Sequence, residues 1–124
     1  MRIVDTNIVL RYMLDDHAEL SPMARQIIDN NTVQVPIEVL CEVVFVLLKL
    51  YKVSRADISV QLHNFCEQTA CILPHREAIL KGLLLFATHN LDFVDCILVG
   101  YKQSENAEIE TFDAKLQKIL KSIK

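Results

Sequence analysis

Short strand-like segments and longer helical patterns take turns along this chain. Segments 2–4, 32–35, 71–73 and 108–111 are strand candidates, and helical periodicity fills the intervals. Ile3 and Val4 read as a buried parallel strand, because such a strand has covered faces on both sides. Ile8, Val9, Leu10, Tyr12, Met13 and Leu14 then read as the start of a buried helix. Ser21-Pro22 opens a helix over 21–30, with Pro in the first turn, where its missing N–H is harmless. Pro36 starts a long helix over 36–52. Ser54 caps one through 67, with Asp57 where a capping box usually has Glu. Helices over 76–88, 92–103 and 113–122 follow, and 122–124 is a candidate edge strand. Such alternation implies parallel strands joined by right-handed crossovers. The expected architecture is α/β: one three-layer α/β/α domain over 1–124, around a central parallel sheet of four to five strands.

Composition narrows the chemistry. With 124 residues, 52% of them apolar, one domain has enough material for a core. Gly82 and Gly100 are the only glycines, so no Gly-rich phosphate loop can be written and an all-β sandwich is disfavoured. The net charge of −3 lowers the expectation of a simple nucleic-acid-binding module. It leaves room for a nuclease that holds cations through clustered acids. Cys41, Cys66, Cys71 and Cys96 form no CxxC pair and sit in apolar surroundings, which suits thiols of a reducing cytosol. The start lacks the basic region and cleavage site of a signal peptide. The greasiest stretch, 43–50, is too short to span a bilayer, so the expected location is cytoplasmic.

Acids recur at the places where an open α/β sheet puts its working residues, near the carboxyl ends of strands. Asp5 closes the first strand, and it reads either as a helix cap or as a group placed for chemistry. Glu42 stands among Val39, Leu40, Cys41, Val43, Val44 and Phe45. Its plain alternative is a solvent stripe shared with Glu38 and Lys49. The scarcity of other polar residues there favours a functional role. Asp92 and Asp95 share one helical face, and Asp92 also suits an N-cap. Asp113 follows the fourth strand candidate. Converging carboxylates repel one another unless a divalent cation sits between them. Mg²⁺ or Mn²⁺ suits such hard oxygen donors.

These motifs together resemble the PIN-domain ribonucleases. Val4-Asp5-Thr6-Asn7-Ile8 resembles their opening, and Pro36 through Glu42 their second acidic motif. Leu91-Asp92-Phe93-Val94-Asp95-Cys96-Ile97-Leu98 resembles the third motif, and Thr111-Phe112-Asp113 the fourth. The resemblance runs through the whole chain, in order. It departs at Cys96, where a small Ala is usual, and at Asn90, where many members have Gly. It implies a PIN-like fold and an Mg²⁺- or Mn²⁺-dependent endoribonuclease that cleaves RNA with a metal-activated water. Asp5, Glu42, Asp95 and Asp113 would be its acidic quartet, with Thr6, Asn7, Asp92 and Thr111 in support or on the substrate. The short chain looks like the toxin of a VapBC-type pair, which implies a homodimer, an antitoxin partner and no membrane. Arg11, Lys49, Lys52, Lys81 and Lys102 are candidates for holding the RNA backbone. Lys115, Lys118, Lys121 and Lys124 read as a solvated helix face.

Three other readings compete. His63, Cys66, Cys71 and His75 could be zinc ligands, although they straddle a helix end and a strand. A phosphatase or phosphoacceptor domain could use Asp5, but Asn7 stands where a phosphatase of that type wants a second acid. A catalytically degenerate PIN-like binding module would keep the fold and lose the acids, and here all four are present.

Overall fold

A computed structural model describes residues 1–123. The chain folds as two compact units, Met1–Pro74 and the residues from His75 onward.

The first unit starts with β1 (Arg2–Ile3), α1 (Thr6–Leu14) and α2 (Leu20–Asp29). β2 (Val33–Gln34), α3 (Ile37–Lys49) and α4 (Arg55–Gln68) follow. β1 pairs with β2 in parallel, with Arg2 opposite Val33 and Ile3 opposite Gln34. A parallel bridge joins Gln34 to Ile72, where the Ile72 N–H donates to the Val33 carbonyl at 2.8 Å. Two helices therefore separate each pair of neighbouring strand segments, as the alternation predicts. α1 packs against α2 and α3, and α3 against α4. The core between them buries Val9, Val35, Leu40, Val43, Leu47, Ile58 and Leu62.

Local chemistry sets most boundaries. The Ser54 hydroxyl accepts the Asp57 N–H at 3.1 Å and starts α4 as expected. The His17 imidazole Nδ1 accepts the Leu20 N–H at 2.9 Å, so α2 begins one residue before Ser21. α3 ends at Lys49 rather than 52, because Lys52 adopts a left-handed backbone (φ 56°) and the Val53 N–H closes back onto the Leu47 carbonyl.

The second unit holds α5 (Arg76–Thr88), α6 (Phe93–Glu105) and α7 (Ala114–Ser122). α5 and α6 cross closely, and both glycines of the chain lie at the crossing. A Cβ on Gly82 would sit 3.1 Å from the Cys96 carbonyl oxygen. A Cβ on Gly100 would sit 2.9 Å from the Ala78 carbonyl carbon and inside contact distance of its oxygen. Phe86 and Phe93 pack edge to face, with ring centroids 5.6 Å apart.

The expected sheet of four to five strands does not form among the described residues, which show β1, β2 and the single bridge at Ile72. The strands are short because helix starters end them at once: Asp5 caps α1, and Pro36 occupies the N-cap of α3. Segment 108–111 forms no strand. The Thr111 carbonyl accepts the Gln117 side-chain amide at 2.6 Å, and the Thr111 hydroxyl accepts the Asp113 N–H at 3.0 Å. These polar groups serve a turn, where a ladder would need its backbone for pairing. Ser122 still belongs to α7 and Ile123 is extended, so no edge strand starts there, and Lys124 lies outside the described residues. Ile3, expected to be buried, is 68% exposed while the next residue, Val4, is buried, because successive side chains of a strand point to opposite faces.

Candidate active site

In the first unit, Asp5 sits where β1 gives way to α1. Its Oδ1 accepts the Ile8 N–H at 3.2 Å, so Asp5 is a working N-cap. A carboxylate has two oxygens and about four acceptor sites. One capping bond therefore orients the group without exhausting it. Thr6 and Asn7 form the first turn of α1. Asp5 and Asn7 line an open concavity of about 630 Å³ with Arg2, Ile3, Val4, Ile8 and Ile27.

Glu42 lies elsewhere in this unit, on α3. It is exposed, and so are Glu38, Phe45 and Lys49 on the same helical face. Leu40, Val43, Val44 and Leu47 take the buried face. Crowding by apolar neighbours is thus no argument for a role of Glu42. The solvent stripe with Glu38 and Lys49 exists, and Phe45 completes it. Arg11 also changes standing. Its guanidinium donates to Asp16 at 2.7 Å and to the Tyr51 hydroxyl at 2.8 Å, so it is committed within the unit rather than available to a backbone phosphate.

The second unit brings three of the candidate acids into one electrostatic neighbourhood. Asp92 is the N-cap residue of α6 by backbone, but its side chain makes no capping bond. Asp95 lies in the first turn of the same helix. Asp113 caps α7, with Oδ1 accepting the Leu116 N–H at 2.7 Å. Burial raises the Asp95 carboxyl above its ordinary range, and the charges of Asp92 and Asp113 raise it further. Ionised Asp95 therefore costs free energy that a nearby cation would relieve. Lys115 donates to the Asn90 carbonyl and ties α7 to the loop before α6.

Carboxylate oxygens of this kind suit Mg²⁺ or Mn²⁺. Among the described residues no three carboxylate, imidazole or thiol groups gather at ligating spacing. Mg²⁺ keeps several waters and needs only one or two carboxylates, so the Asp92–Asp95–Asp113 neighbourhood fits such an ion. The zinc alternative gains no support. Cys66 and Cys71 are buried, and His75 Nδ1 lies 2.6 Å from Glu105 Oε2 with its ring edge-on to Tyr101. Among the described residues the four cysteines form no disulfide.

The sequence assigns no role to Phe112, which is fully exposed between Thr111 and Asp113.

The PIN domain family model matches residues 2–121, and the chain belongs to that family. PIN domains are generally metal-dependent nucleases. No curated protein and no solved structure matches the chain. No described helix is long and apolar enough to cross a membrane.

Proposed function

We propose that this PIN domain is an Mg²⁺- or Mn²⁺-dependent endoribonuclease, acting as the toxin of a toxin–antitoxin pair. The observation that carries the reading is the gathering of Asp92, half-buried Asp95 and Asp113 in one acidic neighbourhood of a PIN domain. Perturbed carboxylates cluster at functional sites, and neighbouring acids suit a divalent cation. Asp95 and Asp113 would hold the cation, with Asp92 beside them. The order of the motifs marks Asp5 and Glu42, in the first unit, as further acids needed for cleavage. A bound divalent cation supplies a polarised water and offsets charge on a phosphate oxygen.

The rest falls to side chains of this protein. The Leu116 N–H fixes one oxygen of Asp113, and the Thr111 hydroxyl fixes its backbone, so this carboxylate is preorganised. The Ile8 N–H does the same for Asp5. Thr6 and Asn7 stand in the first turn of α1 as substrate-orienting groups. An antitoxin and a second copy of the chain are the proposed partners. The proposed setting is the cytoplasm.

The test is cleavage of a cellular RNA pool by the purified protein with Mn²⁺, read by sequencing new 5′ ends. The expected result is discrete new ends that vanish with Asp95→Asn. Equal cleavage by that variant, or none by the parent protein, overturns the reading.

A further inference from the structure

The second unit carries an aromatic side chain with no structural task. Phe112 is fully exposed, while its neighbours on both sides are pinned. The Thr111 hydroxyl accepts the Asp113 N–H at 3.0 Å, the Thr111 carbonyl accepts Gln117 at 2.6 Å, and Asp113 caps α7. A single exposed apolar ring needs no covering on its own account, but the bonds on both sides fix the backbone that holds this one outward. The same turn leads into a groove of about 370 Å³ lined by Lys102, Ile109, Gln117, Leu120, Lys121 and Ile123. Gln117 belongs to both features: it lines the groove and holds the carbonyl next to Phe112.

Charge selects the occupant. The protein as a whole is acidic, at −3, and Glu108, Glu110 and Asp113 flank Phe112, yet α7 itself carries Lys115, Lys118 and Lys121 and no acid. Lys102 from α6 faces the same groove as Lys121. An exposed aromatic beside a lysine-bearing groove is the pairing used for single-stranded nucleic acid. Bases stack on the ring and phosphates meet the cations. From Asp113 to Lys121 the helix rises about 12 Å, at about 1.5 Å per residue. Three to four stacked nucleotides cover that distance, at about 3.4 Å each.

We propose that Phe112 is a base-stacking platform and that Lys102 and Lys121 hold the phosphates of the same single-stranded RNA. This places the strand on the second unit, with one base on Phe112 and the backbone running along α7 toward its C-terminus. The inference rests on the ribonuclease reading and adds which side chains of the second unit hold the strand.

The protein contains no tryptophan, so Phe112→Trp in the full chain gives a single indole reporter at the platform. The experiment titrates this variant with a single-stranded RNA oligonucleotide in the presence of a chelator, which stops cleavage. A second titration uses the same oligonucleotide without bases. Binding is followed by anisotropy of the labelled RNA, and stacking by quenching of the indole. The expected result is saturable quenching by the intact strand and none by the abasic one. Phe112→Ala is expected to weaken binding roughly 5- to 150-fold, the equivalent of about 1–3 kcal/mol per stacked base. Binding without quenching, equal quenching by the abasic strand, or no binding at all overturns the proposal. Burial of the ring in a partner protein instead would give the last of these results. Cleavage by the unaltered protein is scored separately. Cleavage without stacking removes only this inference, and stacking without cleavage removes only the nuclease.

Discussion

A carboxylate at a helix start can cap and can bind, and Asp5 allows the two to be separated by substitution. Its Oδ1 accepts the Ile8 N–H, and Asn is as good a cap as Asp. Asp5→Asn is therefore expected to leave the melting temperature near that of the parent. Asp5→Ala should lose about 0.5–2 kcal/mol of stability with the cap. Both should lose RNA cleavage if Asp5 works as proposed. Thermal melts beside a cleavage assay check this, and an active Asp5→Asn variant would end the assignment. Relief of like-charge repulsion, by contrast, belongs to Asp95, where neighbouring acids raise the carboxyl. Tyr12 gives a pH signature at the same scale. Burial and a 2.9 Å bond to Asp29 push its phenol up to about 12 from 10.0. The folded state thus holds this proton more tightly than the unfolded chain does. The stability it contributes is complete below pH 10, and it is lost as pH rises toward about 12. Tyr12→Phe should flatten the fall in stability across that window, while costing about 0.5–1.5 kcal/mol below it for the lost hydrogen bond. Urea titrations between neutral pH and that window measure both. An unchanged slope would show that Tyr12 does not couple to folding.

Helix pairs set the next scale, and the α5–α6 crossing is the tightest constraint in the second unit. In an exposed helix, replacing Gly with Ala gains about 1 kcal/mol. At Gly100 the new methyl would run into the backbone of Ala78, which cannot swing aside as a side chain can. Overpacking of this kind costs about 1–3 kcal/mol or more. Gly100→Ala is therefore expected to lower stability, and Gly82→Ala, with 3.1–3.2 Å to its neighbours, to lower it less. Denaturant midpoints of the two variants test the ranking, and a stabilised Gly100→Ala would refute the close crossing. The sequence read these glycines only as too few for a phosphate loop. Their packing role depends on which helix lies opposite, and no spacing along the chain states that. α3 teaches the same point about burial. Its boundary was readable to within a few residues, because Pro36 and the apolar run mark it locally. The exposure of Glu42 was not readable, because apolar neighbours in sequence say little about which face of α3 packs on α1 and α4.

Across the whole molecule, a ligand of the folded state raises stability by mass action. Mg²⁺ or Mn²⁺ at a hundred times its dissociation constant should add about 2.7 kcal/mol. The melting temperature should therefore rise with millimolar metal, and Asp95→Asn should blunt the rise. Differential scanning fluorimetry reads both effects, and an unmoved transition would count against a cation site. The order of the elements and the acid-bearing motifs were legible in the sequence by themselves. Asp5 before α1, Ser54 before α4 and Asp113 before α7 act on N–H groups only three residues away, so a linear reading reaches them. The family follows from the same ordered motifs, matched over residues 2–121. Only the tertiary structure decided the extent of the sheet, the exposure of Ile3 and Glu42, the glycine crossing and the display of Phe112. The physical reason is reach. Capping is settled within one helical turn, whereas strand pairing and burial depend on partners far along the chain, which compete with local turns such as Thr111–Asp113 for the same backbone groups.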